Sequence, residues 1–535
     1  MHRYKWLSAI PPRMGWWVVG FTALLAFLHF DPKVSIGGDD SAYIYRTLLF
    51  LKKGQFPSFQ GPLYPLILTP FVALFGLNLM VLKALSMVFT VGAAGLTWLT
   101  LIAHKERRFA WLAALLIFIT NYSILTFASL TYSEALYMLL QALLFAWAAR
   151  FVRLSPAKDW RSATGRLLPL AALNVFMFLA RNIGLASLVA GVVWLAFSRR
   201  LREALLLMGL VTAIYVPFHG IKSVIFKEKS AQISEQGKGL LLKDPYKPEL
   251  GTEDAAGFFN RFLDNSVLYF SKRTLQMLGF LPETSTRKFP FLATIVWLII
   301  LGAIGVHLKN KDPLSAFVGI YVAVFCGLTF IVLQTRWDQE RLIMVVVPYI
   351  VFLLFSLGQW VSETKRLPIV RPLMTVVLGI LLLVNVGRTL SHMDKHITLL
   401  RKTFAGDLLY GFTPDLVNFI RMSQYAAKNV PESAIIVSRK PTISSIYAGG
   451  REFEGMYVSP PADPDSCLNW FRKRKAEYVI DARLRQNPYK FTGQYITTIT
   501  FALYYIQTKY PEKIRLLHQI GQSEEAYLYQ LDIRE

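Results

Sequence analysis

The sequence predicts an α-helical protein that crosses a membrane about eleven times and carries a small soluble α/β domain at its C-terminal end. Three observations predict it. Hydrophobic residues make up 54% of the 535 and charged residues only 17%, against about 25% charged in a soluble domain. Mean hydropathy is +0.40. Apolar runs of membrane-spanning character recur up to about residue 390 and then give way to an alternation of short strand-like and helix-like segments.

The runs lie at 14–30, 79–103, 108–121, 131–150, 167–181, 183–198, 203–219, 289–308, 313–333, 342–361 and 372–389. No small-residue cleavage site follows the first, so it reads as a retained anchor rather than a signal peptide. Several are shorter than the roughly 20 residues a perpendicular helix needs. The pair around Arg181 reads as two short helices or one bent one.

Net charge is +24 and the pI about 9.8. In a soluble protein that balance would suggest nucleic acid. Here the basic residues sit in short connections, "MHRYK", "HKERR", "RFVRLSPAKDWRSATGR", "SRRLRE", "LKNKD" and "ETKRLPIVRP", which fall on alternate sides of the runs. Positive loops are retained in the cytoplasm, and that explains the charge without a nucleic-acid partner. The other connections then face outward: the "GGDD" loop, "NYSILTFASLT", the turn at "ARNIG", a long segment from 219 to 290, and "QTRWDQER". The reading is a multi-pass protein of a bacterial plasma (inner) membrane. Residues 1–390 form the membrane domain, with outer loops 31–78 and 219–289, and residues 391–535 form an extracytoplasmic domain. The long outer segment carries turn signals at Gly237, Gly239, Pro245 and Pro248 and turns helical at about 255–278. It is a lid or a long loop.

In the C-terminal part, "TPDLVNFIRMSQYAAKNVP" opens with Thr413 as N-cap and Pro414 at the first helical position. "SAIIVS", "AEYVIDA" and "EAYLYQLD" read as buried strands, with helices at "DPDSCLNWFRKRKA" and "TITFALYYIQTKYPEK" between them. No Gly-rich phosphate loop follows any strand, which argues against nucleotide binding. The two cysteines, Cys326 in an apolar run and Cys467 in a polar region, predict neither a disulfide nor a thiol metal site. His392 and His396 are four apart, but no third metal ligand lies nearby. The "NYS" triplet at Asn121 has the glycosylation pattern, which is frequent by chance.

Ionisable groups at membrane depth are costly and therefore mark candidate sites. Those found are Lys83, Glu134, Arg181, Arg341 and, close to it, Arg336, together with Asp39 and Asp40 of the first outer loop. In the predicted topology all lie near the outer face. Each has a plainer reading beside the functional one. One aspartate of "IGGDDSAYIYR" caps an interfacial helix. Lys83 and Arg336 snorkel to outer headgroups. Glu134 caps its own span, and Arg341 pairs with Asp338 or Glu340. Arg181, apolar on both flanks, has no such reading. If 40–53 is helical, Asp39, Tyr43 and Arg46 share a face, and Tyr45, Leu48 and Leu49 lie on another, toward lipid.

Carboxylates facing cations in a helical bundle suit glycosyl transfer from a lipid phosphate. The acid serves as general base on an acceptor hydroxyl, and Arg and Lys stabilise the charge developing on the phosphate. At this point the residues resemble a family. "GGDDSAYIY" resembles the Asp-Asp/Glu-x-x-Tyr pattern of GT-C superfamily glycosyltransferases, in the branch of protein O-mannosyltransferases and the lipid A aminoarabinose transferase. "QGPLYPLILTPFVALFGLNLMVLKALS" resembles that branch's Pro-x-x-Tyr segment, Phe-Gly turn and following basic residue, with Lys83 where Arg is usual. "LTYSEAL", "FLARNIGL" and "ERLIMVVVPY" resemble its second acidic, Leu-x-Arg/Lys and late Arg elements, with Leu342 in place of an aromatic. The ordered set spans about 15–360.

The resemblance implies a GT-C fold, a polyprenyl-phosphate-linked sugar donor and an inverting single displacement onto a lipid, glycan or protein hydroxyl. It implies Asp39 as base, Asp40 as support for the acceptor or a cation, and Glu134 as a second acid. Lys83, Arg181, Arg341 and Arg336 contact the donor phosphate, and Tyr43 and Tyr64 line the acceptor cavity. Some relatives hold a divalent cation; the chain shows no metal-specific spacing, which leaves a divalent cation open. Two alternatives remain: a non-enzymatic lipid or oligosaccharide transporter, disfavoured by the absence of internal repeats, and a receptor or scaffold on an anchor, for which eleven spans are excessive.

Overall fold

The computed structural model describes residues 11–59, 61–227, 239–245, 247–364, 367–488 and 491–534. The expectations for "MHRYK", for Gly237 and for the Lys365–Arg366 pair of "ETKRLPIVRP" fall outside those residues. The chain divides into two compact units. One comprises Met1–Phe30, Phe56–Leu66 and Lys83–Ile397; the other comprises Asp31–Gln55, Ile67–Leu82 and Thr398–Glu535.

The first unit is helical. Seven of the eleven predicted spans are helices long and apolar enough to cross a membrane: Leu79–Ala103, Ser133–Phe151, Trp160–Ala180, Leu201–Phe226, Pro290–Lys309, Pro313–Val332 and Val370–Phe404. The other four are shorter. Pro12–Leu28 and Asn182–Phe197 are short apolar helices, Arg108–Thr120 has 13 residues, and the run at 342–361 breaks into Arg341–Met344 and Val347–Thr364. A further apolar helix, Leu63–Phe75, lies within the loop predicted over 31–78, with Pro70 inside it. The membrane/soluble boundary expected at 390 falls within the Val370–Phe404 helix.

Several polar side chains buried among these helices pair with one another, as an apolar interior favours. Tyr137 and Tyr321 share a hydroxyl contact of 2.9 Å, and Gln141 donates to Tyr321 at 3.1 Å. Asp312 caps Pro313–Val332 by accepting from the Ser315 N–H at 3.1 Å, and its second oxygen takes Arg107 Nε at 3.0 Å. Asn121 is fully buried and caps Tyr122–Phe127. Its amide nitrogen donates to the Met277 carbonyl and to Asn385 Oδ1, both at 2.9 Å. That geometry rules out a glycan there in the folded chain.

The second unit contains a five-stranded sheet. Its strands are β1 (Ile435–Ser438), β2 (Glu454–Gly455), β3 (Ala476–Ala482), β4 (Ile514–Ile520) and β5 (Ala526–Leu531), in the order β2-β1-β3-β5-β4. β1 runs parallel to β2 and β3, whereas β5 is antiparallel to β3 and β4. Three of these strands are the predicted ones. β2 is too short to show a period, and β4 is an edge strand with little of its side-chain pattern buried. The helix Pro414–Asn429 has Thr413 as N-cap and Pro414 at its first position, although the threonine side chain makes no capping bond. Met456, Leu468, Phe471, Val479 and Ile506 form the apolar centre with Cys467. Both cysteines are free and buried.

Candidate active site

The acidic pair belongs to the second unit. Residues 39–53 form a helix, Asp39–Lys53, but neither aspartate is its N-cap. That position is Gly38, whose φ of +82° is left-handed and suits glycine. Both acids sit in the first turn, where the helix dipole favours negative charge. Their surroundings differ. Asp40 is fully buried. One of its oxygens accepts from the Ser35 N–H at 2.7 Å, and the other accepts from the Ser35 hydroxyl and the Ser41 N–H, both at 2.8 Å. Asp39 stays partly exposed.

Tyr43 is buried, with Arg46 over its ring at 5.7 Å. Burial pulls the Arg46 guanidinium below its usual range, against the opposing pull of Tyr43, Asp39 and Tyr457. Part of the face expected to meet lipid is covered by protein instead. Leu48 is buried and approaches Gly450. Burial, aided by Glu452 and Glu454, pushes the Tyr45 phenol up to about 12. An amphipathic pattern reads the same whether a protein or a membrane covers the apolar side, and here a protein face covers it.

The basic residues and the second acid belong to the first unit. Glu134 lies in the first turn of Ser133–Phe151 and is 2% exposed. Instead of capping its helix, it faces two guanidiniums. Arg181 Nη1 is 2.7 Å away and Arg341 Nε 3.9 Å away, and these arginine side chains remain 17% and 19% exposed. The Arg181 contact is close but is not aligned as a hydrogen bond. Arg341 also lies over the Tyr132 ring at 5.2 Å.

Arg181 owes its position to a break. The Trp160–Ala180 helix stops at it, its backbone turns extended, and a 3₁₀ turn, Asn182–Gly184, restarts the chain. Gly61, at φ +106°, packs so closely there that a β-carbon would come 2.4 Å from the Ala180 carbonyl oxygen.

The acids expected to pair with Arg341 are engaged elsewhere. Asp338 holds Lys272 and Arg273, and Glu340 accepts from the Ser123 hydroxyl at 3.1 Å. Arg336 goes to Asp244 at 2.6 Å and is half exposed. Lys83 is fully buried, so it does not snorkel to headgroups. Tyr64 is fully buried too, in hydroxyl contact with Ser86 at 2.6 Å. It occupies a packed position rather than a cavity wall.

Lys222 and Arg388 are among the cations that the sequence reading does not single out. Lys222 is 5% exposed and lies 5.0 Å over Phe56. The span was ended at 219, whereas its helix runs on to Phe226, and the apolar "SVIF" after Lys222 was the available signal. Arg388 donates to Glu283 at 2.7 Å and to the Met277 carbonyl at 3.1 Å. It lay inside a predicted span without being counted. His392 stacks on Tyr122 at 4.0 Å, and His396 lies 5.6 Å from His29. Among the described residues no three His, Cys, Asp or Glu side chains converge as a metal site.

No protein-family profile matches the chain, and no curated protein matches it. Solved structures do. ArnT from Cupriavidus metallidurans bound to undecaprenyl phosphate is 12% identical at a TM-score of 0.54, covering 96% of this chain and 98% of that one. The same protein in its apo state is 12% identical at 0.52, covering 96% and 97%. The likeness spans both the membrane helices and the C-terminal α/β part. The chain is a multi-pass membrane protein with the fold of ArnT, apolar helices followed by a small α/β part, as its sequence led one to expect.

Proposed function

We propose that the protein transfers a glycosyl group from a polyprenyl-phosphate-linked donor to an acceptor hydroxyl at the outer face of a plasma membrane, with inversion. The observation that carries this reading is the Glu134 group: one buried carboxylate holding two partly exposed guanidiniums, in a chain whose fold is that of a protein crystallised with undecaprenyl phosphate.

Guanidiniums are weakly hydrated and bind phosphate oxygens through paired N–H groups. Arg181 and Arg341 hold the donor phosphate and take up the charge it gains as the sugar leaves. Glu134, with both of its close partners cationic, acts as their positioning group rather than as a proton carrier. Lys83 and Arg336 contribute positive charge to the donor side. Asp39 is the general base: it is the exposed member of the pair, whereas Asp40 is committed to holding the loop. The acceptor oxygen attacks the anomeric carbon as its proton passes to Asp39. The bond from that carbon to the phosphate oxygen breaks, leaving the polyprenyl phosphate. Tyr43 supports the base through Arg46.

The test is Asp39→Asn assayed with a purified polyprenyl-phosphate sugar. Loss of a general base costs roughly 10²–10⁴-fold in rate, with insertion and folding intact. Near-normal transfer by the variant would overturn the assignment. Movement of the sugar lipid across vesicles with no glycosidic bond formed would favour a transporter instead.

A further inference from the structure

The segment that carries Asp39 is held by the C-terminal half of its own compact unit, 400 residues away in the chain. Four of the contacts between them bear on its position. Lys440 Nζ donates to the Ile36 carbonyl at 2.8 Å. The hydroxyls of Thr442 and Ser41 meet at 2.7 Å. Lys52 Nζ donates to the Gly450 carbonyl at 2.8 Å, and Lys53 pairs with Glu452 at 2.5 Å.

Their placement is not even. Lys440 and Thr442, two residues apart at the junction of β1 with the Pro441–Tyr447 helix, grip the chain at 36 and 41, so that Asp39 lies between the grips. The two lysine contacts at the far end of Asp39–Lys53 are more exposed, and the Lys53–Glu452 pair is a surface pair of small energetic value.

Within the bracket the loop is locked from inside as well. Asp40 binds Ser35 and Ser41, and the Ser41 hydroxyl lies 2.7 Å from the Gly38 carbonyl. Ser41 therefore has its hydroxyl shared between the loop and Thr442. Lys440 is half-buried, and burial pulls its ammonium below the usual lysine range. A lysine whose charge is desolvated to reach one backbone carbonyl is a costly way to hold a loop that needed no fixing.

We infer that Lys440 and Thr442 are positioning residues for the Asp39 carboxylate: the C-terminal α/β domain is part of the catalytic apparatus, setting the base through backbone anchors at 36 and 41. The inference rests on the proposed role of Asp39. Neither residue touches the reacting atoms. Their effect comes through geometry, and a misplacement of about 1 Å can cost on the order of 100-fold in rate.

The experiment uses the full-length protein in lipid nanodiscs and the variants Lys440→Gln, Thr442→Val, Lys440→Arg and Thr442→Ser. The first two should lower kcat about tenfold or more while leaving KM for donor and acceptor nearly unchanged, the pattern of an interaction felt in the transition state. The conservative pair should recover most of the rate. Amide hydrogen exchange at 35–41 should quicken in Lys440→Gln and Thr442→Val alone, a readout that does not depend on activity. The inference falls if kcat is unchanged, if KM rises instead, if exchange at 35–41 is unaltered, or if the loss of rate only tracks loss of folded protein. Should Asp39→Asn remain active, the function assignment fails first. If Asp39→Asn is inactive and these variants are normal, only the positioning inference fails.

Discussion

Glu134 and Asp40 are both carboxylates buried in the first turn of a helix, one in each compact unit, and they are kept in opposite ways. Glu134 is surrounded by charge: two guanidiniums, one at 2.7 Å and one at 3.9 Å. Asp40 is surrounded by short neutral donors, two backbone N–H groups and a serine hydroxyl from within six residues. The difference teaches what each is for. A buried acid that collects distant cations gathers elements far apart in sequence and leaves positive charge available to a ligand. One that collects its own neighbours fixes a loop.

The most direct way to break this comparison is Glu134→Gln. Removing one partner of a buried ion pair costs about 3–5 kcal/mol, because the remaining charges stay desolvated. Chemical denaturation should show a loss of that size, with weakened polyprenyl-phosphate binding. A variant as stable as the parent would mean the arginines have other counter-charges. Asp40→Asn should be milder. Asparagine keeps one acceptor oxygen, so about 1–3 kcal/mol is expected, together with a slower kcat. If Asp40→Asn proves the more damaging of the two, the contrast between charge-held and donor-held acids is wrong.

Acidification sharpens the same contrast at the edge of the first unit. Burial raises the Asp338 carboxyl, but Arg273 and Lys272 outweigh it and set its pKa below the usual value. Its folded pKa being depressed, its stabilisation is present above about pH 4, the ordinary carboxylate range, and fades as pH falls through the lowered value. Asp338→Asn should flatten that part of the stability–pH curve; an unchanged curve would show the pairs contribute nothing. The smallest effect should come from Tyr64→Phe, which removes one neutral hydroxyl contact to Ser86 and should cost about 1 kcal/mol. Transfer activity should be nearly untouched. A large loss of activity would return Tyr64 to the substrate cavity.

Much of the helical part was legible because a membrane imposes run length and apolarity on each span. Leu63–Phe75 was missed because Pro65 and Pro70 interrupt its reading as a helix, and both are tolerated in the structure. The candidate residues were legible as types, since charge at membrane depth is rare. Their partners were not. Glu134 and Arg341 are more than 200 positions apart, so only the fold could pair them, and the adjacent Asp338 and Glu340 were the natural but mistaken partners. The surroundings of Asp40 were equally closed to sequence, because they turn on a fold-back that brings Ser35 onto it.

Gly61 makes no bond to any substrate, yet the end of the Trp160–Ala180 helix leaves it no room for a single carbon atom. A methyl there would press on the residue just before Arg181 while leaving every charge in place. The position thus offers a tuning peg for a remote cation: Gly61→Ala should detune Arg181 by displacement alone.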